Sequence, residues 1–285
     1  MNRYRIVATV TVVALVVLVG TAAALRDVAL RTAEKSLMVL HANGAERPDD
    51  FGALSERVWI RSGQRNLQAL LVRAPGPCSD AVAVLLFHGR GETISGWAKV
   101  QAFLARQCVS SMVFDYSGHG SSTPPARIAT LNADAVAAYG DFVRRFPDSR
   151  RRCILGHSMG VAPMLDAYPS LAPVPDCTVV ANGFSSLQEF AHAEGAPAPI
   201  AFLLGSVWNN LRAIGRVDSP LLVIHGDRDQ VIDPAMARRL DEAAPASALR
   251  VTARGFGHNA LYTTPGIAWW APVLAFLHRP ADRTG

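Results

Sequence analysis

The feature that most constrains the fold of this chain is a series of short apolar runs separated by longer amphipathic stretches. The runs are AVAVLLF (81–87), VSSMVF (109–114), CILG (153–156), CTVVA (177–181) and LLVIH (221–225). The amphipathic stretches lie near 96–107, 131–146, 158–168, 234–244 and 266–278. Strands that are apolar on both faces and alternate with helices are typical of parallel sheets covered on both sides. The pattern therefore predicts an α/β fold with a mostly parallel sheet, preceded by an antiparallel pair of strands, RVWIR and NLQALLV, around the turn SGQ (62–64).

The composition narrows the classes of function. The chain has 285 residues, 50% of them hydrophobic, which is enough to bury the core of one large domain. Its net charge of +5 is spread out, and the densest basic cluster, RRFPDSRRR (144–152), is interpreted as a solvated helix end and loop. There is no zinc-type Cys/His spacing, phosphate-binding glycine loop or internal repeat. We therefore expect no nucleic-acid partner, no metal and no cofactor.

The amino terminus is a separate element. After Arg3 and Arg5, the run from Ile6 to Leu25 carries no charge and is long enough to span the hydrocarbon core of a bilayer. Residues 1–28 are therefore interpreted as a membrane anchor or signal segment, 29–50 as a juxtamembrane helix and linker, and 51–285 as the globular domain. We favour a retained anchor; the alternative is secretion after cleavage near the small residues TAAA.

The motif CILGHSMGVAPML (153–165) places Ser158 between two glycines, where an apolar strand ends and a helix begins. Gly156 and Gly160 permit a sharp turn that presents the serine hydroxyl above the carboxyl edge of the sheet, where such folds bind ligands. A free serine is a poor nucleophile, so this chemistry requires a base, an acid that orients the base, and hydrogen-bond donors for an oxyanion.

The sequence supplies candidates for each of these parts. LLVIHGDRDQVI provides the acid, for which we favour Asp229 over Asp227, and RGFGHNAL provides the base, His258. The loop LLFHGRGE brings glycines that let backbone N–H groups approach a substrate. We expect the N–H groups of Arg90 and Met159 to form the oxyanion hole.

From about Ser55 to the end, the chain resembles the α/β-hydrolase-fold superfamily. The resemblance rests on FHGRGE, DYSGHGSS, GHSMG, HGDRDQVI and GFGHN in this order. Within the superfamily it is most similar to small-capped serine hydrolases related to monoacylglycerol lipases, acyl-protein thioesterases and serine aminopeptidases. The resemblance implies an eight-stranded sheet with helices on both faces, a small helical cap and a Ser-His-Asp triad formed by Ser158, His258 and Asp229.

The cap is expected at 182–217, where this family inserts one. Phe184, Phe190, Phe202, Leu203 and Trp208 are candidates for an apolar acyl pocket, although such side chains in a small cap often serve only to hold it together. An apolar pocket beside a membrane favours a small-molecule or lipid-like ester or thioester. The alternatives are a peptidase or amidase, a perhydrolase with the same triad, or a membrane-anchored binding protein that does no chemistry.

The family strand order also places the four cysteines in neighbouring pairs. It implies bridges between Cys78 and Cys108 and between Cys153 and Cys177, all at the edge opposite the candidate catalytic residues. Because disulfides persist in oxidising surroundings, the domain is expected outside the cytoplasm, on a single-pass anchor with Arg3 and Arg5 inside. The alternative is that the cysteines are four small buried hydrophobic residues. The sequence does not indicate an oligomeric state.

Overall fold

The computed structural model describes residues 2–39, 41–78 and 81–279, and it confirms the predicted fold. The strands are β1 (Ser55–Ser62), β2 (Arg65–Val72), β3 (Val82–Phe87), β4 (Val109–Phe114), β5 (Arg151–His157), β6 (Cys177–Ala181), β7 (Leu221–Gly226) and β8 (Leu249–Ala253). The helices are α1 (Asn2–Leu37), α2 (Ala98–Arg106), α3 (Ile128–Arg145), α4 (Val161–Ala167), α5 (Leu187–Ala193), α6 (Ala198–Leu204), α7 (Asn210–Ile214), α8 (Pro234–Ala243), α9 (Ala260–Thr263) and α10 (Ile267–Leu277).

The strands form one sheet in the order β1-β2-β4-β3-β5-β6-β7-β8. β2 pairs antiparallel with both β1 and β4, and the remaining pairings are parallel. Every residue of β3, β4 and β6 is buried, as expected for strands with helices on both faces. Two hydrophobic clusters, one on each face, make up the main core. The carboxyl ends of the parallel strands therefore share one edge, where the candidate catalytic residues lie.

The structure contains both predicted disulfides. Cys78 is bonded to Cys108 with a Cα–Cα distance of 4.9 Å, and Cys153 to Cys177 with a Cα–Cα distance of 4.6 Å. Cys153 and Cys177 are register partners in β5 and β6. The cysteines therefore link neighbouring strands at the amino-terminal edge of the sheet.

The amino-terminal helix α1 is long and apolar enough to cross a membrane. Within Thr11–Leu37, an 18-residue window has a mean hydropathy of 2.0. The sequence RDVALRTAEKSL (26–37) contains no glycine or proline, so the helix continues without a break past residue 28. The last turns then pack on the domain, where Ala29 and Leu37 are buried.

The segment after α1 also packs on the domain instead of forming a free linker. The His41 carbonyl accepts a hydrogen bond from the backbone N–H of Gly120, and the His41 imidazole contacts the Gly91 carbonyl at 2.8 Å. The Ser95 hydroxyl donates to the Gly44 carbonyl at 2.9 Å. These contacts fix the end of α1 beside the loop that follows β3.

Candidate active site

Ser158 lies at the turn between β5 and α4. Its φ is +52°, in the left-handed region that a side-chain-bearing residue rarely adopts. A Cβ at Gly160 would come within 2.2 Å of the Phe87 carbonyl oxygen, and one at Gly156 within 2.9 Å of the Val161 Cα. Glycine is therefore required at both positions, because neighbouring backbone atoms leave no room for a side chain. Ser158 itself lies at the carboxyl edge of the sheet.

The structure brings Ser158, His258 and Asp229 together. The Ser158 Oγ lies 2.9 Å from His258 Nε2, and His258 Nδ1 lies 2.7 Å from Asp229 Oδ2. Asp227 is placed differently, because its carboxylate accepts a hydrogen bond from the Gly255 N–H at 2.6 Å. Asp229 therefore contacts the imidazole, whereas Asp227 holds the loop that leads to it.

The carboxylate of Asp229 is held in its charged form. Burial alone would raise its pKa, but the His225 and His258 imidazoles and the backbone N–H of Ile232 outweigh burial and keep the pKa well below its usual value. His225 Nε2 lies 3.2 Å from the same carboxylate oxygen, without hydrogen-bond alignment. A permanently charged Asp229 can thus orient His258 and stabilise its protonated form.

The residues predicted to supply oxyanion donors lie in the loop after β3 and at the start of the turn at Ser158. Both Arg90 and Met159 line the cavity at Ser158. The Gly89 N–H is already donated to Glu92 at 2.8 Å, which leaves Arg90 as the next amide of this loop. Met159 is the second residue of a short helical turn, whose first N–H groups have no partner within the turn. The Arg90 side chain points to the cap, 3.8 Å from the exposed carboxylate of Glu194.

Glu92 is a buried carboxylate that contacts both the loop after β3 and His157. Besides Gly89, it accepts a hydrogen bond from the Trp97 indole at 2.8 Å and lies 3.1 Å from His157 Nδ1. Burial would raise the pKa of Glu92, but His157, together with His88 and the Gly89 N–H, outweighs burial and lowers it. The other His157 nitrogen lies 3.0 Å from the backbone carbonyl of His258. Glu92 therefore connects the candidate oxyanion loop to the backbone of the candidate base.

Asn182 holds the same loop from the neighbouring strand. Its side-chain N–H donates to the His258 carbonyl at 2.6 Å, and its side-chain oxygen accepts from the Gly226 N–H at 3.0 Å. Neither Glu92 nor Asn182 is among the site residues predicted from the sequence. Glu92 stands inside the motif FHGRGE, so a buried carboxylate beside a glycine loop was the available signal. Asn182 had no comparable signal.

The cavity at Ser158 measures about 190 Å³. Of the five predicted pocket residues, Phe184 and Phe190 line it, together with Leu37 from α1. Phe202, Leu203 and Trp208 do not reach this cavity. Phe202 is 72% exposed on the outer side of the cap, Leu203 packs against the core, and Trp208 is buried. The indole N–H of Trp208 donates to Asn132 in α3, which explains why its ring turns away.

Comparisons with known proteins identify the family of this chain. A family model described as the alpha/beta hydrolase family matches residues 84–277. Among curated relatives, alpha/beta hydrolase domain-containing protein 17C of Bos taurus is 31% identical over 238 residues, which cover 75% of this chain and 70% of the relative. An uncharacterised protein of Mycobacterium tuberculosis is 29% identical over 178 residues, and the match spans 63% of its length, less than two thirds.

Solved structures show the same fold. An esterase of Pyrococcus furiosus aligns with a TM-score of 0.65 at 18% identity, covering 86% of this chain and 99% of the esterase. Est1E of Butyrivibrio proteoclasticus, solved with ferulic acid bound, aligns with a TM-score of 0.59 at 16% identity, covering 78% of this chain and 96% of Est1E. At these identities the likeness concerns the fold.

Proposed function

This chain belongs to the alpha/beta hydrolase family, and from that premise we propose that it is a serine hydrolase of carboxylic esters or thioesters with apolar acyl groups. The observation that carries the proposal is the Ser158–His258–Asp229 chain of contacts, at 2.9 and 2.7 Å. Nucleophile, base and orienting acid are each within hydrogen-bond reach of the next, at the edge of the sheet where a cavity opens. Phe184, Phe190 and Leu37 give that cavity apolar walls suited to an acyl group.

In the proposed reaction, Ser158 Oγ attacks the acyl carbonyl carbon while its proton passes to His258 Nε2. The Arg90 and Met159 N–H groups stabilise the oxyanion. His258 then returns the proton to the leaving alcohol or thiol as the bond to it breaks, which leaves an acyl-serine. Water, deprotonated by His258, attacks the acyl-serine and releases the carboxylic acid, and Ser158 regains its proton.

Labelling with a fluorophosphonate tests this proposal on the full-length protein in detergent. We expect one covalent adduct, located on Ser158 by peptide mass spectrometry, because the paired imidazole activates this hydroxyl. The labelled protein should also lose hydrolysis of p-nitrophenyl butyrate in proportion to the adduct formed. A protein that neither labels nor hydrolyses esters would support a binding protein on a hydrolase scaffold instead. A mapped adduct on another serine would contradict the assignment of Ser158.

The pH dependence of activity follows from the environment of His258. Burial lowers the pKa of His258 below its usual value, as does the nearby His157, while the hydrogen bond that His258 donates to Asp229 acts in the opposite direction. Only the neutral imidazole accepts the serine proton, so kcat/KM should rise with pH through a midpoint below about 6.5. It should then stay level at neutral and mildly alkaline pH. A pH-stat profile with p-nitrophenyl butyrate measures this, and a midpoint well above 6.5 would contradict the assigned base.

We further infer that the catalytic domain lies outside the cytoplasm on a single-pass anchor. The apolar helix α1 and the two disulfides support this placement, because disulfides persist in oxidising compartments. Thiol titration under denaturing conditions, on protein from its native membrane and without reductant, should find no free thiol. Four titratable thiols would contradict the external placement.

A further inference from the structure

A second cavity lies beside the catalytic one, between the end of α1 and the cap helices α5 and α6. Its volume is about 150 Å³. α1 contributes Ala29, Ala33 and Leu37, which follow one another at helical spacing on one face. The cap contributes Phe190, Ile200 and Leu204. Thr32, Ser36 and Glu194 are the polar residues of this α1–cap groove, and the rest of its lining is apolar, which suits a hydrocarbon chain.

The groove adjoins the candidate active site. Leu37 and Phe190 line both cavities. The catalytic cavity alone measures about 190 Å³. Small-molecule sites usually measure roughly 300 Å³ or more, so a substrate with a long acyl chain needs the additional space that the groove provides.

The groove also begins close to the membrane-spanning part of α1. The uncharged run ends at Leu25, and Ala29 follows four residues later, which is about 6 Å along a helix. The apolar side chains nearby face outward: Val28 on α1 is 61% exposed and Phe202 on α6 is 72% exposed. Single exposed apolar residues are common. Here, however, Val28 lies on the helix that is expected to enter the bilayer, and Phe202 lies on α6, which packs against that helix.

We propose that the α1–cap groove binds the acyl chain of a membrane-lipid ester, so that the chain passes from the bilayer along α1 to the cavity at Ser158. The inference rests on the proposed hydrolase function and adds to it the substrate class and its route. On this basis α1 is one wall of the substrate site as well as an anchor. On the same basis, the exposed Phe202 contacts the membrane surface and does not line the catalytic cavity.

Filling the groove from either wall tests the acyl-chain site. We expect Ala33→Trp on α1 and Ala196→Phe on the cap to lower kcat/KM for p-nitrophenyl dodecanoate by about tenfold or more, because the added ring occupies the space of the chain. Hydrolysis of p-nitrophenyl acetate should stay near that of the wild type. Val28→Trp, on an exposed face of the same helix, is the matched control and should leave both esters unaffected.

The outcomes separate this inference from the proposed function. If the wild type hydrolyses neither ester and does not label with a fluorophosphonate, the proposed function fails. If the wild type is active but both groove variants keep its chain-length profile, the acyl-chain site is wrong and the hydrolase assignment is unaffected. Two variants on opposite walls guard against one of them simply disturbing the packing of α1.

A second comparison tests the route from the membrane. The full-length protein is reconstituted in phosphatidylcholine vesicles, with p-nitrophenyl dodecanoate dissolved in the bilayer. Phe202→Glu should slow this hydrolysis by about tenfold, because a carboxylate is costly at the apolar boundary of a bilayer, while Phe202→Leu should not. p-Nitrophenyl acetate in water should be hydrolysed equally by all three proteins. Equal rates on the bilayer substrate would overturn entry from the membrane and indicate that the acyl chain arrives from solution.

Discussion

Replacing Ser158 by Ala should reduce kcat for p-nitrophenyl esters by roughly 10⁶-fold, which is the scale of loss seen when a triad nucleophile is removed. The substitution deletes one hydroxyl that contacts His258 at 2.9 Å and leaves the glycines of the turn in place. The left-handed backbone at Ser158 is held by its neighbours, so the fold should survive. Steady-state kinetics and the unfolding midpoint, measured on the same preparation, separate loss of chemistry from loss of structure.

Ser170→Ala is the matched control for this variant. Ser170 is exposed, and it lies after α4, outside the candidate site, so its substitution should change neither kcat nor fluorophosphonate labelling. The Ser158→Ala protein should not label at all. If it labels, or hydrolyses esters at the rate of the wild type, then Ser158 is not the nucleophile. A large fall in its unfolding midpoint would instead assign Ser158 a structural role.

The sheet and the serine turn could be predicted because local chemistry fixes them. A strand that is apolar on both faces must be covered on both sides, and β3, β4 and β6 have this character. At position 160 of the turn only glycine fits, because a Cβ there would lie 2.2 Å from the Phe87 carbonyl oxygen. Such requirements are readable in the sequence because each depends on few residues.

The cap could not be predicted in the same way. Phe202, Leu203 and Trp208 have the composition of an acyl pocket, but their orientation depends on how short helices pack together. Trp208 turns to Asn132 because its buried indole N–H needs a partner. Phe184 reaches the cavity because it directly follows β6, whose carboxyl end is already at the site. Proximity to a strand end therefore accounts for Phe184, whereas Phe190 reaches the cavity through the packing of α5.

The contribution of α1 to the cavities could not be predicted from the sequence either. Its length and hydropathy predict a membrane span, but they do not indicate that its last turns pack on the cap. Ala29, Ala33 and Leu37 share a helix face, and this spacing is equally typical of a helix that contacts lipid. The segment that fixes α1, with its contacts at His41 and Gly44, has the composition of an ordinary linker.

Asp229→Asn should lower kcat by about 10⁴-fold while leaving the fold intact. The Asp229 Oδ1 atom accepts hydrogen bonds from the Val231 and Ile232 N–H groups, and an asparagine oxygen can keep both. The asparagine NH₂ group must then face His258 Nδ1, where it can only donate. The proton of the neutral imidazole is thereby placed on Nε2, which can no longer accept a proton from Ser158.

Asp227→Asn provides the comparison that identifies the acid. Asp227 accepts a hydrogen bond from the Gly255 N–H in the loop leading to His258, and an asparagine oxygen can retain that bond. Its effect on kcat should therefore be far smaller than that of Asp229→Asn, and the unfolding midpoint should stay close to that of the wild type. The Asp229 variant should be inactive across the pH range in which the wild type is fully active, because the defect is a wrong tautomer rather than a shifted titration. If the two variants rank in the opposite order, Asp227 is the acid that serves His258 in the reaction, despite the 2.7 Å contact between His258 and Asp229.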